Sequence, residues 1–287
     1  MWFALVSTAV AAVTVAFHWY ATRVGSHERK RIAAQRALIV IAHPDDECMF
    51  FAPLITSLLN NGTDVHLLCL SSGNYRRQGL QRKVELRNSC SMLGLPPSNI
   101  TLVEHTKLPD DPYRLWNKAV IRDIVVKYVS KLSIDTLITF DDYGVSGHLN
   151  HIAIFKACQH MATKQMLPAN TKIFALQSVN LIRKYSSIAD AIFSHIDGST
   201  HRFLSPYQSI FAAQRAMFQY RSQLAWFRIL YIVFSRYMII NTLREIVPDA
   251  RKNKTNSSNL SNLNDFNDDN DDISVTGADQ DTDSVAS

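Results

Sequence analysis

A histidine and three acidic residues, His43-Pro44-Asp45-Asp46-Glu47, follow directly on the apolar run Ala37–Ile41. Charged side chains at the end of a buried strand are costly unless something compensates them. A divalent metal would do so. His43 and the carboxylate of Asp45 or Asp46 supply two ligands, and a third must come from elsewhere in the fold. Gly147-His148-Leu149-Asn150-His151 is the best source, because His148 and His151 are spaced to share one face at a helix start. Two imidazoles and one carboxylate suit zinc and leave a position open for water, whose pKa the ion lowers toward about 7. The aspartate that is not a ligand is then a candidate general base, and the remaining histidine can donate a proton or stabilise an oxyanion. That inventory fits hydrolysis of an amide: water must be activated, a tetrahedral oxyanion held and the departing amine protonated. The plainer alternative is that Asp45 or Asp46 caps the following helix and Glu47 favours its positive end.

These residues need a scaffold that brings them together. Apolar runs alternate with helical patterns: strands are expected at Ala37–Ile41, Val65–Leu70, Asn99–Val103, Asp135–Phe140 and Lys172–Leu176. Helices are expected at Glu47–Asn60, Gln81–Leu93, Tyr113–Leu132 and His151–Met161, with Pro53 bending the first or marking a second start. The alternation predicts βαβ units and an α/β fold, a Rossmann-like open, mostly parallel sheet with helices on both faces. Ligands bind beyond the carboxyl ends of such strands, where the histidine-bearing clusters and Ser71-Ser72-Gly73-Asn74-Tyr75 all fall. No GxGxxG or P-loop supports a nucleotide-phosphate cradle.

Charge divides the chain. Residues 265–287 carry −8, so against a total of +5 the first 264 residues carry +13. A basic body suggests an anionic partner, lipid or nucleic acid. The N-terminus favours lipid, since Trp2–Thr22 has no Asp, Glu, Lys or Arg and is long enough for a bilayer core of about 30 Å. Arg23, Arg29, Lys30, Arg31 and Arg36 follow it, which argues for an uncleaved transmembrane helix with the rest of the chain in the cytosol. Nucleic acid is not expected as a partner, because the basic residues are not interleaved with a stacking platform. The expected organisation is a membrane anchor at 1–24, a basic linker at 25–36, a catalytic domain at 37–250 and a disordered acidic tail at 251–287. Cys48, Cys69, Cys90 and Cys158 are scattered in apolar sequence and read as buried, reduced thiols. Leu224–Ile240 is nearly all apolar but carries Arg228 and Arg236, within about 80° of each other on a helix. It reads either as a helix in the membrane interface with both arginines toward headgroups, or as a core helix with its arginines snorkelling out.

Ala42-His-Pro-Asp-Asp-Glu47, with Met49-Phe-Phe-Ala-Pro53 just after, resembles the hallmark of the LmbE-like, or PIG-L, zinc deacetylases. Val145-Ser-Gly-His-Leu-Asn-His-Ile-Ala153 is similar to that family's downstream histidine pair. Cys69–Tyr75, Leu108-Pro-Asp-Asp-Pro112, Arg221–Arg228 and Phe234–Met238 extend the likeness over most of residues 37–240 and look like the eukaryotic branch, which acts on N-acetylglucosaminyl-phosphatidylinositol. The resemblance implies that His43, Asp46 and His151 bind zinc or another divalent metal. It implies that Asp45 is the general base and that His148 aids the oxyanion or the leaving amine. Arg82 and Asp111 resemble sugar- and phosphate-contacting positions. Bacterial relatives have a tyrosine two residues before the first histidine of the pair; Ser146 stands there in this chain, so any role of that tyrosine does not transfer.

The function implied is removal of acetate from N-acetylglucosaminyl-phosphatidylinositol, the second step of glycosylphosphatidylinositol-anchor synthesis, by an enzyme anchored in the endoplasmic reticulum membrane and facing the cytosol. A deacetylase of another amino sugar and a catalytically silent membrane scaffold are the rivals. The topology has its own check in the sequons Asn61-Gly62-Thr63 and Asn99-Ile100-Thr101. Endoglycosidase treatment is expected to leave the gel mobility of the native protein unchanged, and a shift would put those loops in the lumen.

Overall fold

Strands buried on both faces must be apolar throughout, and that is how the centre of this sheet is built. The computed structural model describes residues 32–187, 190 and 201–247. Its strands are β1 (Arg36–Ile41), β2 (Asp64–Cys69), β3 (Ile100–Leu102), β4 (Thr136–Phe140), β5 (Lys172–Leu176), β6 (His201–Leu204) and β7 (Ile240–Glu245). They form one sheet in the order β3-β2-β1-β4-β5-β7-β6. Ala37–Ile41 and all of β4 are buried. The first five strands pair in parallel, while β7 runs antiparallel to both its neighbours, β5 and β6.

The main helices are α1 (Asp46–Phe50), α2 (Ala52–Asn60), α3 (Gly79–Met92), α4 (Lys118–Lys131), α5 (Leu149–Thr163), α6 (Tyr207–Met217) and α7 (Trp226–Phe234). α4 packs on α5, whereas α6 packs on α1, α2 and α3, so the helices form two groups. Right-handed crossovers that leave β1 toward β2, and later return past it toward β4, place such groups on opposite faces. The expected mostly parallel α/β sheet is therefore present. Chain direction across the sheet reverses between β1 and β4, which opens a crevice at their carboxyl ends.

Three elements differ from expectation for local reasons. The first helix breaks at Phe51 and restarts with Pro53 inside the first turn of α2, the second of the two outcomes foreseen for that proline. The helix expected from Tyr113 begins only at Lys118, where the Asn117 side chain accepts the Ala119 N–H; Trp116 before it is buried and donates to Pro109 O. β6 and β7 were not foreseen. β7 is tied down by Asn241, whose side chain accepts from Leu54 N at 3.1 Å and donates to Phe50 O at 2.8 Å.

Both readings of Leu224–Ile240 are corrected in where they send the two arginines and in how far the helix runs. The helix ends at Phe234 because Ser235 turns extended (ψ 128) and its hydroxyl caps a 3-10 turn over Arg236–Met238. Neither arginine faces outward. Arg228 reaches inward to Asp45, and Arg236 is fully buried with Nε 2.7 Å from Asp190 Oδ2. Arg183 holds the other oxygen of Asp190 at 2.7 Å. A buried cation without a carboxylate costs several kcal/mol, which explains why the chain turns inward here.

No helix among the described residues is long and apolar enough to cross a membrane. The expected anchor at 1–24 and the acidic tail at 251–287 lie outside the described residues, as does most of the linker. All four cysteines are free and buried. Replacing Arg236 by alanine should lower unfolding stability by about 3 kcal/mol, the low end for breaking a buried pair, since Arg183 still faces Asp190. A urea-unfolding midpoint unchanged from wild type would contradict this account.

Candidate active site

The crevice between the ends of β1 and β4 is a cleft of about 500 Å³. Loops after four strands line it: His43, Asp45 and Asp46 after β1, Gly73, Tyr75 and Arg76 after β2, Asp110 and Pro112 after β3, and Ser146, His148 and His151 after β4. Phe227 and Arg228 of α7 close one side. His43, His148 and His151 each offer a ring nitrogen within 4.8 Å of the others.

Asp46 is 2 % exposed, and its Oδ2 accepts from the backbone N–H groups of Ala42 (3.1 Å) and His43 (2.9 Å). Its Oδ1 lies 3.3 Å from His151 Nε2, and its Oδ2 lies 3.9 Å from His43 Nδ1. Burial alone would raise its pKa, but the charge of His151, with His43 behind, holds the carboxyl well below the usual range. Burial would lower His151, yet Asp46 outweighs it and raises the imidazole above its ordinary value.

His151 is oriented from behind. Its ring stacks on Phe140 at 3.8 Å between centroids and 1° between planes. Its Nδ1 donates to Gly144 O at 3.0 Å. That bond puts the ring proton on Nδ1 and turns the Nε2 lone pair toward the Asp46 carboxylate. Two buried acceptors face each other there, and Nε2 makes no directed hydrogen bond of its own. Only a cation or a shared proton stabilises such a pair, so the donor set fits a divalent metal. Gly144 permits the approach: its φ is +64°, and an added Cβ would lie 2.8 Å from the His151 Cβ.

His148 is placed differently. It caps α5, and its Nδ1 accepts the Asn150 N–H at 3.3 Å. The neutral ring therefore carries its proton on Nε2. Burial, and then the charges of His151 and His43, push its pKa down to about 4, so at neutral pH it is an uncharged hydrogen-bond donor.

Asp45 occupies the N-cap position of α1 but makes no side-chain cap bond, so the plain capping role is not what it does. Its Oδ2 lies 3.0 Å from Arg228 Nη2 and 3.4 Å from Arg82 Nη2. Its backbone is left-handed at φ 102°, a conformation disfavoured for any residue with a Cβ. Glu47 supports that strain by accepting the Asp45 N–H at 3.1 Å, while its other oxygen accepts from Ser89 (2.5 Å) and Tyr220 (2.8 Å). Burial raises Glu47 to about 7 despite those two hydroxyls. It faces the core rather than the helix's solvated end, and only its place beside two aspartates signalled a role.

The two substrate-contact expectations fare differently. Arg82 lines the cleft and is buried. It donates to Gly73 O (3.0 Å) and to Pro44 O, and faces Asp110 at 3.8 Å as well as Asp45, so it is no surface charge. Asp111 is outside the cleft lining, and its carboxylate accepts the Tyr113 N–H within its own turn. Its neighbour Asp110 points in instead, 3.1 Å from His43 Nε2. Leu108, buried beneath the loop, sets that register, which a pair of adjacent aspartates could not reveal.

Residues 38–162 match the family described as PIG-L, GlcNAc-PI de-N-acetylase. The N-acetylglucosaminyl-phosphatidylinositol de-N-acetylase of Bos taurus is 45% identical over 208 residues, 72% of this chain and 82% of that one. A probable enzyme of the same name from Schizosaccharomyces pombe is 34% identical, over 85% of this chain and 97% of its own. Among solved structures, the N,N'-diacetylchitobiose deacetylase of Pyrococcus horikoshii superposes with a TM-score of 0.51 at 15% identity, covering 82% of this chain and 96% of that one. A 4-carboxy-2-hydroxymuconate hydratase from Pseudomonas putida reaches 0.50 at 12% identity, over 75% and 98%. These two likenesses are of fold, and two chemistries share it, so the fold alone does not choose the reaction.

A metal at the Asp46–His151 pair must displace the proton that Asp46 holds on His151. Zinc affinity should therefore fall as pH drops through the raised His151 pKa, with about one proton released per ion. Calorimetric titration in buffers of different ionisation enthalpy measures that release, and pH-independent affinity would contradict it.

Proposed function

The chain belongs to the family of N-acetylglucosaminyl-phosphatidylinositol de-N-acetylases, and we propose that its cleft hydrolyses the acetamide of N-acetylglucosaminyl-phosphatidylinositol, with each step assigned to residues of the switch-point crevice. The observation that carries this reading is the meeting of Asp45, Asp46, His43, His148 and His151 in one cleft from loops far apart in sequence. The product amine belongs to the second step of glycosylphosphatidylinositol-anchor synthesis.

His43, Asp46 and His151 would hold the metal, zinc or another divalent ion. Bound there, it supplies a Lewis acid for the carbonyl oxygen and lowers the pKa of water. Asp45 takes a proton from the attacking water. Both guanidinium contacts fall on its Oδ2, which leaves Oδ1 to accept it. Water adds to the acetyl carbon, and the Nε2–H of His148 donates to the oxyanion that develops. A neutral donor suits this step, because it stabilises the new charge without placing a second cation in the site at rest. The C–N bond then breaks, acetate leaves, and the proton held by Asp45 passes to the departing glucosamine nitrogen. Arg82 keeps Asp45 and Asp110 in place and contacts substrate only at the cleft wall.

By the same reading, Trp2–Thr22 anchors the enzyme in the endoplasmic reticulum membrane with the catalytic domain in the cytosol. The basic residues after that run and the four free, buried cysteines support it.

Substituting Asp45 or His148 by alanine should cut acetate release from the glycolipid by about 10²–10⁴ while metal stays bound. His43→Ala and His151→Ala should lose the metal as well. Metal analysis beside an acetate assay, with free N-acetylglucosamine as the rival substrate, separates these outcomes. Full activity of Asp45→Ala would overturn the assignment of the base.

A further inference from the structure

α7 is amphipathic the wrong way round for a soluble domain. Its inward face carries Arg228, paired with Asp45, and Tyr231, whose hydroxyl donates to Met49 O at 2.9 Å, with Ile232 beside them. Trp226, Ile229, Leu230, Val233 and Phe234 recur at the i, i+3, i+4, i+7, i+8 spacing of one helix face. That face points to solvent: Trp226 is 75 % exposed and the other four each about half. An apolar stripe of this kind normally faces a core.

The patch continues beyond the helix. Tyr185 meets Tyr231 edge-on at 6.4 Å, and Ser187 Oγ donates to Val233 O at 3.3 Å, so the short helical turn Leu181–Lys184 lies alongside. Leu181 (71 %) and Ile182 (84 %) are also bare, next to Lys184. On the cleft side, Phe227 is exposed and lines the active site together with Arg76. Contiguous apolar surface with basic side chains at its edge and an enzyme cleft opening beside it fits one occupant best.

We propose that the outer face of α7, with the Leu181–Lys184 turn, inserts into the headgroup–acyl boundary of an anionic bilayer and sets the cleft mouth at the depth of a lipid-linked sugar. Three observations choose a bilayer over a protein partner. Apart from the indole N–H of Trp226, at home in a membrane interface, the stripe offers no polar side-chain atom to specify a partner. The basic residues beside it belong to a body of charge +13 and complement anionic headgroups. The same helix forms the cleft wall, so the apolar face and the substrate entrance open side by side. The inward bonds of Arg228 and Tyr231 hold the helix in that orientation, where a free amphipathic helix would roll its apolar face inward. The inference rests on the lipid-linked substrate of the preceding reading and adds a docking element to it.

The test uses the full chain reconstituted in phosphatidylcholine–phosphatidylinositol vesicles. An environment-sensitive fluorophore on Leu230→Cys labels one site, because the four native thiols are buried. Its emission should be quenched by brominated acyl chains. Emission that stays water-like, or is shielded yet insensitive to the brominated lipid because another protein surface covers the face, overturns the proposal. Separately, the triple variant Ile229→Ser, Leu230→Ser, Val233→Ser should keep wild-type kcat on a dispersed short-chain glycolipid and show a KM raised about tenfold or more on vesicle-embedded substrate. None of the three lines the cleft. Equal KM values on vesicles would overturn docking. If the wild type released no acetate from either substrate, the catalytic reading would fail, while the fluorescence would still decide the docking.

Discussion

An ionised carboxylate held almost wholly out of water at the end of β1 sets the terms for everything around it. Asp46 cannot stay charged in that position without positive partners, and two backbone N–H groups do not suffice. The remaining compensation has to come from across the crevice, where His151 presents a nitrogen 3.3 Å away. For that nitrogen to be in place, β4 must pair with β1, Phe140 must support the imidazole ring, and Gly144 must adopt a backbone conformation that turns its carbonyl toward Nδ1. Sheet pairing, loop geometry and the chemistry of the cleft are thus parts of one electrostatic requirement.

The two histidines of the pair show how second contacts divide labour between like residues. Both lie in the same cleft and three positions apart. A carbonyl accepting from Nδ1 of His151 frees its Nε2 as a lone pair, whereas a backbone N–H donating to Nδ1 of His148 leaves its Nε2 protonated. One ring is thereby suited to hold a cation and the other to donate a hydrogen bond. The adjacent aspartates divide in the same way. Asp46 turns back against the backbone of its own loop, while Asp45, in a left-handed conformation, is thrust toward two guanidinium groups.

Arg228 joins this site to the rest of the surface. It stands on a helix whose outer face is apolar and bare, and its charge is spent on Asp45. The same pairing of a buried cation with a carboxylate appears again at Arg236, which meets Asp190 in the core beside Arg183. Each arginine that the apolar segment carries is therefore turned inward by a carboxylate, and the stripe between them is left to face outward.

The sequence by itself determined the strand and helix alternation, the parallel centre of the sheet and the identity of the polar clusters at its strand ends. It did so because β1 through β5 are short apolar runs separated by helical periodicity, and because His43, Asp45, Asp46, His148 and His151 sit where those runs stop. It missed β6 and β7, since an antiparallel edge strand such as Ile240–Glu245 owes its place to Asn241 and the body of α1 and α2 rather than to its own pattern. It could not tell that Asp110 rather than Asp111 lines the cleft, and it pointed Arg228 and Arg236 outward, whether to headgroups or by snorkelling. Those matters turn on which way a side chain points and what charge awaits it. Only tertiary structure decides that, because a buried ion takes its direction from a partner distant in the chain.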